Sequence, residues 1–386
     1  MTSKDYINLF HSYKENRLKN RYIHNDHILP LLKNLKANFE IKDIGSSVLN
    51  QPIHSIKIGS GSEKILLWSQ MHGNESTTTK ALFDLCNLFA QDLSLTTQNI
   101  LNSCTLLIVP ILNPDGSKQY TRQNANNIDL NRDAKNVTQP ESKVLRRLFN
   151  EFQPDFCFNL HGQRTIFNAG NTNNTATMSF LTPAQDKACV VTESRKKSME
   201  VIVAINNLLQ TQIPNQVGIY DDTYNDNCVG DAFQSLNCPT ILFEAGHFKN
   251  DYNREITRLY TFQAILKGIE YIANNNVSGD LYKPYLEIPE NHKRFLDVII
   301  RQARIRFKEE EIITDIGIQY TEKLLDDKVE FIPKIEKIGD LSHLFAHNEI
   351  EANNAQITLI GDLELCEGLE VESVTIGLKE YSLKIE

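Results

Sequence analysis

Residues 71–76 read MHGNES and place His72 three positions before Glu75. Both residue types can hold a metal ion or move a proton. Two more such groups stand apart, His161 in FNLHGQ and Glu244 in LFEAGH. Each site closes a short apolar run of strand length: KILLWSQ (Lys64–Gln70), DFCFNL (Asp155–Leu160) and PTILFEA (Pro239–Ala245). The ends of neighbouring parallel strands converge, and in an open α/β sheet that crevice binds ligands. Two histidines and one carboxylate leave a coordination position open, which is the arrangement of catalytic rather than structural zinc. The loop NPDGSKQYTRQNANNIDLNRD adds Arg122, Asp129, Asn131 and Arg132 to the same face. Alone, HGNE also reads as a plain turn in which Gly73 and Asn74 reverse the chain and Glu75 suits a helix N-terminus. The other strand ends are what turn it into chemistry.

The elements that must position these groups are legible as patterns. Residues 4–38 read as two helical pieces split near RYIHNDH, followed by strands around Phe39–Ile44, Ile53–Ile58 and Ile65–Ser69. After HGNE, Leu82, Leu85, Leu88 and Phe89 share one helical face. CTLLIVPIL (Cys104–Leu112) is a continuous apolar run, as expected of a strand buried on both faces, and NPDG ends it with a turn. Helices follow near residues 140–152, 193–212 and 251–274, with the strand TMSFL between. The alternation predicts an α/β fold with a mixed, mostly parallel central sheet and helices on both faces. Three regions are expected: an N-terminal helical extension (1–40) on the catalytic domain, the catalytic domain itself (41–278), and a small C-terminal α+β or β-rich domain (279–386). In the last region the pattern predicts short alternating strands and one helical piece near Asn291–Phe307.

The 386 residues carry a net charge of −9, which leaves no basic excess to neutralise phosphates and argues against nucleic acid as partner. The first forty residues lack the apolar core of a signal peptide, and no later run is long enough to span a bilayer, so no membrane partner is expected. Seven scattered cysteines without a CxxC pair fit reduced thiols, and the expected setting is cytoplasmic.

Together HGNE, NPDG, an arginine upstream of DLNR, a strand-terminal histidine and a late strand-terminal glutamate stand in one order. In this the chain resembles the zinc carboxypeptidases and their deacylase relatives, the succinylglutamate desuccinylase/aspartoacylase branch, over about residues 40–275. The resemblance implies one Zn2+ per chain, held by His72, Glu75 and His161. It makes Glu244 the general base and acid, and Arg122 the group that polarises the scissile carbonyl. It places a terminal carboxylate on Asn131 and Arg132, and Asp129 behind His72, fixing its tautomer. The mobile tyrosine of the family maps to Tyr224, with Tyr220 as rival. The specificity pocket maps near Gly230, which leaves room, and Asp231, which suits a basic or amine-bearing side chain. His161 follows Glu75 by 86 positions, a shorter interval than in the digestive enzymes.

The chemistry needs these types. Zinc brings a bound water to a pKa of about 7, a carboxylate carries its proton to the leaving amine, and a guanidinium meets charge on the carbonyl oxygen. The function this implies is a metallocarboxypeptidase that releases the C-terminal residue of a small, cell-wall-derived peptide. The alternative keeps the zinc and acts on an N-acyl amino acid as a deacylase or amidase. An inactive binding module would have lost a ligand or the base, and none is lost. Outside the site, HLFAH reads as a helical turn with His343 and His347 exposed, and His24 and His27 read as solvated in a polar hinge.

Overall fold

The structure is a computed structural model and describes residues 1–307, 310–359 and 365–385. The chain divides into two units, residues 1–163 with 176–291 and residues 164–175 with 292–386. The first begins with helices α1 (Ser3–Tyr13) and α2 (Asn25–Leu35), then the hairpin β1 (Glu40–Ser46) and β2 (Pro52–Gly59). It continues with β3 (Glu63–Trp68), α3 (Thr77–Gln91), α4 (Leu95–Ser103), β4 (Cys104–Val109), α5 (Pro114–Gln119), α6 (Pro140–Phe152) and β5 (Phe156–Gly162). The short strand β6 (Phe167–Ala169) belongs to the second unit. The first resumes with β7 (Met178–Leu181), α7 (Glu193–Gln210), β8 (Val217–Ile219), α8 (Val229–Ser235), β9 (Thr240–Ala245) and α9 (Glu255–Asn274).

Eight strands form one sheet in the order β1-β2-β4-β3-β5-β9-β7-β8. The centre, β4-β3-β5-β9, is parallel, while β2 and β7 join it antiparallel, so the sheet is mixed and mostly parallel. Strand period decides the two faces. In β3, Ile65 and Leu67 join one core with α1, α2, α3, α7 and α9, whereas Leu66 and Trp68 join a second with α6 and α8. In β5, Phe158 and Leu160 face the first core and Cys157 the second. By the same alternation Asn159 and His161 point to the face covered by α6 and α8. Among the described residues no helix is long and apolar enough to cross a membrane.

The second unit is β-rich. Strand β10 (Asn291–Lys293) pairs with β6, and β11 (Phe295–Phe307), β12 (Glu310–Leu325), β13 (Lys328–Gly339) and β14 (Phe345–Glu351) form a sheet in the order β13-β12-β11-β14. A smaller sheet holds β15 (Ile357–Thr358), β16 (Ser373–Ile376) and β17 (Lys379–Ser382). The helix expected over 291–307 is therefore strand. Its β-branched Val298, Ile299, Ile300 and Ile305 favour a pleated surface, and a bulge between Ile300 and Ala303, with Gln302 at φ +51°, breaks the period of two that would have revealed it. HLFAH is likewise not a helix: His343 and Leu344 lie in the turn before β14, and Phe345–His347 open the strand. His343 is exposed there, but His347 is buried, stacks on Phe295 at 4.6 Å and bonds the Thr165 carbonyl at 2.8 Å. His24 is not solvated either: its ring is buried and caps α2.

Candidate active site

The chain leaves β3 at Trp68, and Gln70 turns it with φ +43°, a left-handed conformation rare outside glycine. The turn that follows delivers His72 and Glu75 ahead of α3. It is locked onto the NPDG segment. Asn113 N–H donates to the Gln70 carbonyl at 3.0 Å, and Asn113 Nδ2 to the Met71 carbonyl at 3.2 Å. Asn113 Oδ1 accepts the Gly116 N–H and caps α5. Gly73 lies so close that a Cβ there would sit 2.0 Å from the Gly116 carbonyl carbon. NPDG is thus a brace for the HGNE turn as well as the turn its sequence announces.

His72, Glu75 and His161 converge, with their ligand atoms within 4.8 Å of one another. His72 Nδ1 lies 2.9 Å from Glu75 Oε1, His161 Nδ1 lies 2.9 Å from Glu75 Oε2, and the two Nδ1 atoms are 3.0 Å apart. Glu75 Oε2 also accepts the Gly162 N–H at 3.0 Å. Behind the site, His72 Nε2 lies 3.1 Å from Asp129 Oδ1, and Asp129 accepts the Asn131 N–H at 2.8 Å. Burial alone would lower the His72 pKa, but Glu75 and Asp129 outweigh it and raise it to about 9. Burial would likewise raise Glu75, but the two histidines hold it well below the ordinary carboxylate range. The field at this point favours a positive charge.

Glu244 is brought in by β9, where it is the register partner of His161 on β5. Burial, reinforced by the Glu75 carboxylate, pushes its pKa well above the ordinary range. Its Oε2 is buried and finds no hydrogen-bond partner. Arg122 donates from Nε to Asp129 Oδ2 at 3.0 Å and from Nη1 to Glu75 Oε1 at 3.4 Å, with its side chain 48% exposed. Asn131 Oδ1 accepts the Val229 N–H at the start of α8, and Arg132 Nη1 meets the Asn131 carbonyl at 2.7 Å and Cys228 Sγ at 3.1 Å. Two histidine nitrogens and a carboxylate facing one point, with the remaining nitrogen of His72 fixed by Asp129, are a donor set that suits zinc.

The sequence profile of the zinc carboxypeptidases matches residues 28–276. The chain belongs to the zinc carboxypeptidase family. Similar curated proteins include gamma-D-glutamyl-L-diamino acid endopeptidase 1 of Lysinibacillus sphaericus, 40% identical over 82 aligned residues, with 19% of this chain and 20% of that one covered. Carboxypeptidase SOL1 of Arabidopsis thaliana is 30% identical over 143 residues, 32% of this chain and 29% of that one. The chain therefore spans less than a third of the length of these curated relatives. Among solved structures, a metallo-carboxypeptidase from Burkholderia cenocepacia aligns at TM-score 0.52 and 16% identity, covering 64% of this chain and 69% of that one. Carboxypeptidase A from Helicoverpa armigera aligns at TM-score 0.51 and 16% identity, covering 70% and 80%. These two share the fold.

Of the two candidate tyrosines, Tyr220 is the one that lies within the field of Glu244 and Glu75. Tyr220 is held by the strand edge, its N–H on the Phe180 carbonyl, and its hydroxyl donates to Gln163 Oε1 at 2.6 Å. Burial, then the charges of Glu244 and Glu75, push its pKa far up. Tyr224 lies in the following loop near the exposed Lys135. Tyr220 directly follows the strand VGI, so the strand-end rule that found the other groups points to it. Asp231 sits in the first turn of α8 with Oδ1 on the Asn225 N–H, and burial brings its pKa to about 6. Gly230 faces Pro183 and Asn159, whose buried Oδ1 has no partner. Gln163 and Asn159 carry no motif signal, although Asn159 shares a strand face with His161.

Proposed function

We propose that the protein is a zinc-dependent metallocarboxypeptidase that hydrolyses the C-terminal amide bond of a small peptide. The observation that carries this reading is the convergence of His72, Glu75 and His161 with Glu244 as the register neighbour of His161. One Zn2+ per chain, when bound, supplies a Lewis acid and a water acidified to a pKa of about 7. Glu244 takes the proton from the attacking water and passes it to the leaving amine. Arg122, half-exposed beside Glu75, meets charge that develops on the carbonyl oxygen. Asn131 and Arg132 take the terminal carboxylate, for which a guanidinium fork has the right geometry. Tyr220, beside Glu244 and Glu75, offers its hydroxyl to the bound substrate.

The substrate class we favour is a cell-wall-derived peptide cut at a diamino acid. Its support is the likeness to the diamino acid endopeptidase and the buried Asp231 near Arg132, an acidic group suited to an amine. We infer a cytoplasmic setting from seven free thiols, with Cys157 and Cys238 unbonded at 3.6 Å. Zinc content of the purified protein, with release of the last residue from free-acid and C-terminally amidated peptides, tests the reading. One zinc per chain and a strong preference for the free acid are expected. Equal turnover of both peptides would overturn the exopeptidase reading and favour the amidase.

A further inference from the structure

Residues 1–27 lie outside the stretch that matches the family, yet part of them lies against the turn that carries His72 and Glu75. Three carbonyls of this segment receive side chains from residues 70–80. Gln70 Nε2 donates to the Ile23 carbonyl at 2.9 Å and to the Gly73 carbonyl at 2.7 Å. Ser76 Oγ donates to the Arg21 carbonyl, and Lys80 Nζ to the Asn20 carbonyl at 2.7 Å. All three donors are buried. Upstream the segment is pinned by Arg258, which donates to the carbonyls of Leu18 and Glu15 and pairs with Asp84 on α3.

The spacing gives these contacts their meaning. Gln70 and Ser76 bracket the two ligands, Gln70 two residues before His72 and Ser76 directly after Glu75. Gln70 also holds an unfavourable left-handed backbone, and its side-chain amide ties the Gly73 carbonyl inside the turn to the Ile23 carbonyl of the strap. A buried carbonyl that loses its donor must find another or move. The strap therefore fixes the backbone from which both ligands project.

We infer that the segment Asn20–Ile23 is a positioning strap for the metal turn, acting through Gln70 and Ser76 as positioning residues, and that zinc affinity depends on it. The inference rests on the metal centre proposed above. Zinc stoichiometry of the unsubstituted protein tests that centre, and the comparison among variants tests the strap.

The experiment removes zinc from the full chain with a chelator and titrates it back against a competing indicator. Gln70→Met and Ser76→Ala are expected to weaken zinc binding by about tenfold or more, the scale of lost support behind a ligand. Ser76→Thr, which keeps the hydroxyl, is expected to restore it. Tyr6→Phe is the control, since it removes an N-terminal hydrogen bond to Glu270 that does not touch the turn. It should lower the melting temperature and leave zinc affinity unchanged. Substituted Co2+ adds a second readout, a visible spectrum altered in Gln70→Met and Ser76→Ala only. Should Gln70→Met fail to fold, the Ser76 pair decides alone. Wild-type zinc affinity in folded Ser76→Ala, or an equal loss in Tyr6→Phe, would overturn the strap.

Discussion

His161 and Glu244 are register partners on the neighbouring parallel strands β5 and β9, so their side chains leave the sheet on the same face. The sheet itself thus sets His161, a member of the triad that could hold a metal, beside the Glu244 carboxylate. Glu244→Gln keeps the shape and removes the proton acceptor. It is expected to retain one zinc per chain and to lose turnover by about 10²–10⁴-fold, the usual worth of a general base. Metal analysis and kcat on the same preparation check this, and near-normal turnover would take Glu244 out of the mechanism.

Asp129 holds His72 from behind and also anchors Arg122. Asp129→Asn keeps the size but removes the charge that orients the imidazole. Zinc affinity is expected to fall by about 10–100-fold. His72→Ala and His161→Ala should each abolish stoichiometric zinc, as read by equilibrium dialysis. Undiminished binding without His161 would mean that the metal sits elsewhere.

The roles proposed for the two arginines predict different failures. Arg132→Ala is expected to raise KM for a free-acid peptide while changing the amidated peptide little, which brings the two together. Arg122→Ala is expected to lower kcat for both by about 10²–10³-fold, as an oxyanion donor would. Steady-state kinetics on the matched pair of peptides separates these roles. A uniform KM effect from both variants would merge them.

Acid stability should report on the charges beneath the metal turn. Burial alone would raise the Glu255 pKa, but Lys80, Lys14 and Arg258 outweigh it and bring it to about 2, against 4.5 for the free side chain. The unfolded chain therefore takes up this proton first. The stabilisation is complete above about pH 4.5 and is lost as pH falls toward 2. With the side chain 31% exposed, about 2 kcal/mol remains after solvent screening. Urea unfolding of wild type and Glu255→Gln should show a gap near that size at pH 6, closing between pH 4.5 and 2. A gap that stayed constant with pH would assign the stabilisation to packing.

The sheet and the convergence of His72, Glu75 and His161 were legible because each rests on a local signal: a short apolar run, then a polar group at its end. His72, Glu75, His161 and Glu244 all obey it. Tyr220 also follows a strand, β8, but β8 has only three residues, too few for its end to stand out in the sequence. The strand at 295–307 was read as helix because its bulge breaks the alternation. Gln70 could not be read at all, since its partner at Ile23 lies 47 positions away and the contact is to a backbone atom that carries no residue signature.

The missing side chain at Gly73 has a consequence for anyone who would move this site to another scaffold. With the Gly116 backbone where a Cβ would have to go, HGNE and NPDG are two halves of one interlocked part, although 37 residues that include α3, α4 and β4 separate them in the chain. A graft of the HGNE turn alone would arrive without the surface that shapes it, and a library at position 73 would return only glycine whatever side chain stood at 116, because the clash is with backbone atoms.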